Sequence, residues 1–266
     1  MLAEREQPDR LKRREMRGQT VIITGAASGL GRDVALAFAR RGVNIAFNYI
    51  ELPGRDIAAQ ALMTETTLRA FGVGVYSEHC DVRNSRAVTN FVEHAVAELG
   101  GVHYLVNNAG IAHDGALWRM TDAAWREVID TNLTGSFNCI RAVAPHLRQQ
   151  RYGKIVSVSS HQAYKPGFGI ANYTSSKAAL VGLTKAAAVD LGAYNVNVNA
   201  VAPGFVNTEL LRTLPSEIIE DAKKGSVLGR IADPEDVSNV VVFLCSDDAR
   251  HITGQVILVD GGLTLH

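Results

Sequence analysis

Seven short, β-rich apolar runs alternate with longer helical segments along most of this 266-residue chain. Because the runs are apolar without strict polar alternation, they are typical of parallel strands covered by helices on both faces. The pattern predicts an α/β fold with one doubly wound, seven-stranded parallel sheet. The predicted strands are TVIIT at 20–24, VNIAFN at 43–48, VYSEHC at 75–80, HYLVNN at 103–108, KIVSVSS at 154–160, VNVNAVAP at 196–203 and QVILVD at 255–260.

No linker, repeat or low-complexity segment divides this pattern, so residues 18–266 are predicted to form a single domain. Residues 1–17 mix charges of both signs and contain few apolar side chains. Such a segment has little surface to bury, and we therefore predict a mobile amino-terminal arm.

Charge and cysteine content narrow the classes of function. Lys plus Arg and Asp plus Glu number 27 each, so no net field attracts nucleic acid or an anionic membrane. Cys80, Cys139 and Cys245 have neither CxxC nor metal-ligand spacing. No run approaches the roughly 18 apolar residues of a membrane-spanning helix. The sequence predicts a cytoplasmic protein with reduced cysteines, no metal site, and no nucleic-acid or membrane partner.

A glycine-rich turn, TGAASGLG at 24–31, follows the first predicted strand and leads into a helix. Glycines let backbone approach a pyrophosphate, whose charge then meets the free N–H groups of the helix N-terminus. The spacing is GxxxGxG rather than the GxGxxG of other dinucleotide-binding enzymes, and close packing alone is the alternative explanation. The turn predicts a Rossmann domain with cofactor contacts from Gly25, Ser28, Gly29, Leu30 and Gly31.

Two further motifs lie at the carboxyl ends of predicted strands, where this fold binds ligands. Asp81 and Val82 follow the third strand, and NNAG at 107–110 ends the fourth. For Asn107, a structural role that ties strand ends together is the alternative. We predict cofactor contacts from Asp81, Val82, Asn108, Ala109 and Gly110.

Tyr173 and Lys177 are four residues apart in YTSSK, and therefore lie on one face of a predicted helix. A phenol with a pKa near 10 is a poor acid or base at neutral pH. A neighbouring ammonium favours the phenolate and lowers that pKa, and oxidised nicotinamide would act in the same direction. The pair predicts a proton-transfer site, with a surface i,i+4 pair as the less specific alternative.

Together, TGxxxGxG, NNAG, a Ser before YxxxK and PG after the sixth strand resemble the short-chain dehydrogenase/reductases. The resemblance runs from about Gly18 to the carboxyl terminus. The segments NNAGIAHDGALWRM, ANYTSSKAAL and ITGQVILVDGG are most similar to 3-oxoacyl-acyl-carrier-protein reductases. The resemblance implies an NAD(P)-dependent enzyme that transfers a hydride between nicotinamide and a carbonyl or secondary alcohol, with a 3-oxoacyl thioester of acyl carrier protein or CoA as substrate. An NAD(H)-dependent dehydrogenase of a small alcohol, sugar or steroid is the alternative, and a non-catalytic dinucleotide-binding regulator is a more remote one.

The resemblance also implies four catalytic residues: Asn132, Ser160, Tyr173 and Lys177. The Ser160 hydroxyl would orient the substrate oxygen and stabilise charge that develops there. Ser159 is the rival, but side chains alternate along a strand and the family spacing favours Ser160. Asn132 would hold a water that links Lys177 to solvent, although an Asn that satisfies helix backbone is the alternative.

The remaining predicted cofactor contacts come from the ends of the second and sixth strands and, by resemblance, from Tyr173 and Lys177. By resemblance Pro203, Gly204, Val206 and Thr208 meet the nicotinamide. At the end of the second strand many NAD enzymes have an acidic residue that binds the ribose 2′-hydroxyl. This chain has Tyr49 there, after Asn48, and the neutral residue favours NADP(H). NAD(H) stays open, because Ser28 replaces a basic residue of many NADP users and Glu51 is nearby. Arg32 and Arg55 are candidate partners for a 2′-phosphate.

Substrate and assembly are predicted from the resemblance alone. Residues 208–230 would form two short helices of a mobile lid over the active site, and His161 is either a substrate contact or a structural hydrogen-bonder. Arg148 and Arg151 are candidates for a basic patch near the cleft that docks an acidic acyl carrier protein. Tyr194 and Asn195 stand where related reductases are often basic, which leaves CoA thioesters and other carbonyls open. The apolar helices and carboxyl terminus predict a homotetramer.

Overall fold

The computed structural model describes residues 14–212 and 216–265. Seven parallel strands form one sheet in the order β3-β2-β1-β4-β5-β6-β7. The predicted α/β fold with a seven-stranded parallel sheet is therefore confirmed. The strands are β1 Thr20–Thr24, β2 Asn44–Tyr49, β3 Val75–His79, β4 Tyr104–Asn107, β5 Gly153–Val158, β6 Val196–Pro203 and β7 Val256–Val259.

Strand order reverses at β1, which pairs with β2 on one side and β4 on the other. Thr24 at the end of β1 is in register with Asn48, and Ile23 is in register with Val106 of β4. The chain leaves β1 and β4 toward helices on opposite faces of the sheet. A crevice at such a switch point is the usual ligand site of an open α/β sheet.

Helices cover both faces of the sheet. They are α1 Gly29–Ala39, α2 Ile57–Arg69, α3 Ser85–Leu99, α4 Asp122–Ile129, α5 Gly135–Gln150, α6 Ala171–Gly192, α7 Glu209–Arg212, α8 Ser216–Gly225 and α9 Pro234–Cys245. α1, α2 and α9 share one apolar core, and α3, α5 and α6 share the other. Alternate β1 side chains enter opposite cores, Ile23 the first and Ile22 the second, as the period of a strand requires.

The predicted amino-terminal arm lies outside the described residues up to residue 13. Its last residues contact the sheet's amino edge: the Arg14 guanidinium lies 4.2 Å from the Tyr152 ring centroid, and the Arg14 N–H donates to Asp247 Oδ2 at 2.6 Å. Within residues 14–212 and 216–265, no helix combines the length and apolar content needed to cross a membrane.

Candidate active site

A cleft of about 830 Å³ opens at the carboxyl ends of the strands. Every residue predicted to bind the cofactor lines it, from the glycine turn to Thr208. Ser160, Tyr173 and Lys177 also line the cleft, whereas Asn132 lies behind its wall. The fold therefore brings these side chains, which are up to 183 positions apart between Gly25 and Thr208, to one site.

The glycine turn has the geometry that a phosphate requires. Gly25 and Gly29 have φ of +67° and +57°, and a Cβ at Gly31 would lie 2.5 Å from Asn108 Nδ2. The first turn of α1 carries no acidic residue, and Ser28 makes no side-chain capping hydrogen bond. The free backbone N–H groups at the N-terminus of α1 therefore face a space that glycine backbone lines closely and that no acidic residue of the first turn enters. Such a space fits a pyrophosphate. In size the cleft suits a dinucleotide with a small substrate.

Asn108 holds the turn in place. Its backbone N–H donates to Thr24 Oγ1 at 2.9 Å, and its Nδ2 donates to Thr24 O at 2.9 Å. Asn107 points to the neighbouring strand, where Nδ2 donates to Ser157 Oγ at 3.2 Å. The alternative proposed for Asn107, a tie between strand ends, agrees with this contact. Its buried Oδ1 has no hydrogen-bond partner among the described residues.

Tyr173 and Lys177 lie on one face of α6, with Lys177 Nζ 5.6 Å from the centroid of the Tyr173 ring. Nζ donates to the Val158 carbonyl at the end of β5 at 2.8 Å. Only 4% of Lys177 is exposed, and burial lowers the pKa of its ammonium to about 8. The pair is therefore an interior one, which excludes the surface-pair alternative.

The pKa of Tyr173 departs from the sequence prediction. Burial raises it above its usual value, the hydrogen bond with Ser160 opposes that rise, and the carboxylate of Asp114 adds to it. The expected net lowering of the pKa was wrong for this structure, because burial of the phenol dominates and the group that lowers the pKa is Ser160, not Lys177. A phenol with a raised pKa holds its proton at neutral pH, which suits a proton donor.

Ser159 and Ser160 face opposite ways. Ser159 Oγ donates to the Lys177 backbone carbonyl at 2.9 Å and is buried in the protein. Ser160 lies beyond the end of β5, lines the cleft, and lowers the pKa of Tyr173. Its Oγ accepts from the Gln162 N–H at 3.2 Å. Ser160 and Tyr173 thus both line the cleft.

Asn132 lies in a π-helical turn, Asp130–Thr134, between α4 and α5. Its Oδ1 accepts from Ile111 N at 2.8 Å, and its Nδ2 donates to Ile111 O at 3.0 Å and to Ser176 Oγ at 3.0 Å. The side chain therefore satisfies backbone, as the alternative interpretation stated. Gly110 separates it from Lys177: a Cβ there would lie 3.2 Å from Asn132 Oδ1 and 3.3 Å from Lys177 Nζ.

The predicted ribose slot contains Tyr49, which lines the cleft and packs edge-on against His79. Asn48 turns its amide inward, where Nδ2 donates to Cys80 O at 2.6 Å and Oδ1 accepts from Gly25 N at 3.2 Å. Arg55 also lines the cleft, and its Nη2 lies 3.4 Å from Glu209 Oε2.

Asp81 is paired in this structure. The Arg83 guanidinium donates to its carboxylate at 2.6 and 2.9 Å, and this hydrogen bonding lowers the pKa of Asp81. Arg83 has no sequence signal that could reveal this role, since a basic residue two positions after an acid is common on any surface.

His161 is 6% exposed, with Nδ1 3.1 Å from the Pro203 carbonyl and its ring 5.3 Å from that of Phe205. Burial lowers its pKa. These contacts agree with a structural hydrogen-bonder that holds the end of β6. Gly204, which follows Pro203, is required by packing, because a Cβ there would lie 2.9 Å from Asp260 Cα.

Arg148 and Arg151 do not form a basic patch beside the cleft, and that prediction was wrong. α5 runs antiparallel to the strands, so its last turn lies at the sheet edge opposite the cleft. The Arg148 guanidinium stacks on Tyr194 at 4.5 Å from the ring centroid, and Arg151 Nη2 donates to the Ala193 carbonyl at 3.1 Å.

Asn172 is a further buried polar residue beside Tyr173. It is completely buried, its Oδ1 accepts from the Tyr173 N–H at 2.7 Å, and its Nδ2 donates to His113 O at 3.0 Å. It thereby connects the start of α6 to the loop after β4. A lone Asn beside a predicted site has no spacing signal that could reveal this.

The switch-point cleft, with its phosphate cradle and buried phenol and ammonium, defines the class: the protein is an oxidoreductase that uses a nicotinamide dinucleotide. A family model described as enoyl-(acyl carrier protein) reductase matches residues 25–264. The 3-oxoacyl-[acyl-carrier-protein] reductase of Staphylococcus aureus strain Mu50 is 40% identical over 245 residues, 92% of this chain and 98% of that protein. That of Thermotoga maritima is 39% identical over 250 residues, 94% of this chain and 99% of that protein.

A solved structure from Sinorhizobium meliloti 1021, provisionally described as a short-chain alcohol dehydrogenase, superposes with a TM-score of 0.88. It is 30% identical and covers 94% of this chain and 98% of its own. The chain belongs to the short-chain dehydrogenase/reductase family. It is an NAD(P)-dependent enzyme that acts on CH–OH or carbonyl groups.

Proposed function

We propose that this enzyme reduces the 3-oxo group of an acyl thioester with NADPH. The observation that carries the proposal is that Ser160, Tyr173 and Lys177 line one cleft, with Ser160 close enough to the phenol to lower its pKa. Two hydroxyl groups are therefore available in this part of the cleft, with the buried ammonium of Lys177 5.6 Å from the centroid of the Tyr173 ring. Such a pair of donors matches a single carbonyl oxygen that gains negative charge during reduction.

In the proposed reaction, bound reduced nicotinamide supplies the hydride to the carbonyl carbon. Ser160 donates a hydrogen bond to the carbonyl oxygen and orients it. Tyr173 transfers its phenolic proton to that oxygen as the C–O π electrons move onto it, so hydride and proton together give the alcohol. The Lys177 ammonium stabilises the resulting phenolate by its field. Asn132 completes the proposed group, with a water beside Gly110 that returns a proton from solvent.

The proposed cofactor-binding residues follow from the cleft. Gly25, Ser28, Gly29, Leu30 and Gly31 would hold the pyrophosphate, and Pro203, Gly204, Val206 and Thr208 the nicotinamide. The adenosine would lie against Asn48, Tyr49, Asp81, Val82, Asn108, Ala109 and Gly110. All of them line the cleft.

NADP(H) is proposed over NAD(H) because of the charges around the expected position of the adenosine ribose. Tyr49 is neutral, and Arg55 on the same wall supplies a guanidinium within the cleft. A 2′-phosphate would meet a cation there and compete with Glu209 for it. Arg32, the other candidate, does not line the cleft.

A carbonyl substrate is favoured over an enoyl one, even though the matching family model has an enoyl reductase description. The relatives from Staphylococcus and Thermotoga are 3-oxoacyl reductases by name. A further relative, from Thauera aromatica and 35% identical, is a dehydrogenase of a hydroxy(phenyl)methyl succinyl-CoA. These three names describe enzymes that act on an oxygen-bearing carbon of an acyl thioester.

We further propose an acyl carrier protein as the donor of the substrate, a homotetramer as the assembly, and the cytoplasm as the location. The exposed apolar residues Phe137 of α5, Val189 of α6 and Leu258 of β7 support assembly through these elements. The three cysteines are free and buried, which fits a reducing compartment. Light scattering at micromolar concentration tests the assembly, and a monomeric mass would reject it.

The test of the proposed function is reduction of acetoacetyl-CoA by NADPH, followed at 340 nm. Crotonyl-CoA, cyclohexanone and a ketose serve as comparison substrates, each with NADPH and NADH. Faster turnover of acetoacetyl-CoA supports the proposal. Preference for crotonyl-CoA would indicate enoyl reduction, and preference for the other ketones with NADH would support the alcohol or sugar dehydrogenase alternative.

A further inference from the structure

Two large aromatic side chains stand in solvent on the loops that carry the cleft-lining residues Asp114 and Ile170. Trp118 is 75% exposed and Phe168 is 83% exposed. Their rings are in an edge-to-face pair with centroids 6.2 Å apart. Exposed aromatic surface of this size is unfavourable in water, so the pair requires an explanation beyond chain folding. We call Trp118 and Phe168 the aromatic rim.

The aromatic rim is built on two loops that form walls of the cleft. Trp118 lies in a 3₁₀ turn, Leu117–Arg119, four residues after Asp114, which lines the cleft. Phe168 precedes Ile170, which also lines the cleft, and lies five residues before Tyr173. The Gly115 N–H donates to the Gly169 carbonyl at 2.7 Å and joins the loops. The two rings therefore lie on the same two loops as the cleft-lining residues Asp114 and Ile170, outside the cleft itself.

We propose that the aromatic rim binds the alkyl tail of the acyl thioester substrate and sets a preference for longer acyl chains. The inference rests on the proposed function of the site. A 3-oxo carbonyl held by Ser160 and Tyr173 leaves the thioester on one side and the alkyl tail on the other. Because the tail has no polar group, it gains free energy when it buries its methylene groups against exposed apolar rings near the cleft-lining residues.

The size of the aromatic rim favours an alkyl tail over a second copy of the chain. Two aromatic side chains offer on the order of 300 Å². A stable protein interface needs about 800 Å² from each partner. The rim is therefore too small to hold a subunit by itself, whereas it can cover several methylene groups of a chain that leaves the cleft.

The first test is equilibrium binding of unreactive acetyl-CoA, hexanoyl-CoA and octanoyl-CoA to the protein saturated with NADP⁺, measured by calorimetry. Each buried methylene strengthens binding by up to about fourfold. We expect octanoyl-CoA to bind at least about tenfold more tightly than acetyl-CoA. In the Trp118→Ala/Phe168→Ala variant this ratio should fall below about threefold, with acetyl-CoA binding unchanged.

Phe71→Ala is the matched control, since Phe71 is also exposed but lies beyond the end of α2, remote from the cleft. It should keep the wild-type ratio. The absence of a chain-length gradient in the wild type, or its persistence in the double variant, would overturn the inference. A change of mass by light scattering together with equal loss for all three ligands would show a subunit interface instead and would also overturn it.

Turnover of acetoacetyl-CoA and 3-oxooctanoyl-CoA separates the inference from the proposed function. If neither is reduced while octanoyl-CoA still binds through the aromatic rim, the proposed function fails, and only the binding of acyl chains by the rim stands. If both are reduced at equal kcat/KM in wild type and double variant, and binding shows no gradient, the function stands and the inference fails.

Discussion

The ammonium nitrogen of Lys177 lies 5.6 Å from the centre of the Tyr173 ring and donates its described hydrogen bond to Val158, not to the phenol. The end of β5, and not the phenol, therefore fixes the position of the ammonium. The side chain that lowers the pKa of Tyr173, against the larger effect of burial, is Ser160. In the proposed reaction the ammonium and the Ser160 hydroxyl would therefore have separate roles, the first toward the phenolate and the second toward the substrate oxygen.

Tyr173→Phe should abolish turnover while cofactor affinity stays near that of the wild type. The substitution removes the transferable proton and leaves the ring in place, and loss of a general acid costs about 10²- to 10⁴-fold. Steady-state kinetics with acetoacetyl-CoA and fluorescence titration with NADPH would measure both quantities. Near wild-type turnover would remove Tyr173 from the chemistry.

Lys177→Met should change the pH dependence of stability. The folded-state pKa is about 8, below the ordinary 10.5, because burial disfavours the ammonium. Below pH 8 the lysine is charged in both the folded and the unfolded state, so the folded state bears the full free-energy cost of the buried ammonium. Above pH 10.5 it is neutral in both states, and the cost is gone.

Since each pKa unit corresponds to about 1.4 kcal/mol, the cost that Met removes is about 3 kcal/mol. The free energy of unfolding of the variant, relative to the wild type, should therefore decrease by up to that amount as pH rises from 7 toward 10.5. Loss of the hydrogen bond to the Val158 carbonyl also lowers the free energy of unfolding of the variant, by an amount that is the same at every pH. Urea unfolding at pH 7 and 9.5 would measure the change, and a constant difference would contradict it.

Ser160→Ala and Ser159→Ala should have opposite profiles. Ser160 faces the cleft, so its loss should lower kcat and kcat/KM together by roughly a hundredfold. Ser159 bonds the Lys177 backbone, so its loss should lower the free energy of unfolding by about 1 kcal/mol and leave kcat within a few-fold. Slower turnover in Ser159→Ala than in Ser160→Ala would reverse the assignment.

The fold and the outline of the site were predictable because their signals are local. Strand runs, glycine spacing and the i,i+4 pair are read along a few residues, and parallel strands then bring their carboxyl ends to one edge. Strand bounds differ at the ends: β5 stops at Val158, whereas the sequence pattern continues through Ser160. Beyond that point the backbone turns to present Ser160 to the cleft.

Features that depend on burial and on helix direction were not predictable. The raised pKa of Tyr173 results from desolvation, which no spacing reports. Arg148 and Arg151 were expected near the cleft, but the antiparallel course of α5 places them at the other edge of the sheet. The Asn48 amide hydrogen-bonds the Gly25 N–H and the Cys80 carbonyl because its position on the strand turns the side chain inward.

Gly31→Ala should weaken NADPH binding by more than about tenfold. A Cβ there would meet Asn108 Nδ2 at 2.5 Å and the Gly25 carbonyl at 2.6 Å, so the cradle must open. Gly182→Ala is the control, because Gly182 lies within α6 with no atom within 4 Å of its Cβ position. It should keep cofactor affinity and gain about 0.5 to 1 kcal/mol of stability. Equal affinity in the two variants would show that the turn does not hold the pyrophosphate.

Tyr49→Asp should reverse the cofactor preference from NADPH to NADH. Tyr49 lines the cleft at the end of β2, where a carboxylate would repel a 2′-phosphate and accept a hydrogen bond from a 2′-hydroxyl. Two charges a few ångströms apart near a protein surface interact by a few kcal/mol, enough for at least about a tenfold change in the ratio of dissociation constants. Tyr49→Asn, which changes shape without charge, should keep the wild-type preference. Fluorescence titration of both cofactors into the three proteins measures the ratio. An unchanged ratio in Tyr49→Asp would place the 2′ group elsewhere in the cleft, and a reversal in Tyr49→Asn as well would show that shape, not charge, selects the cofactor.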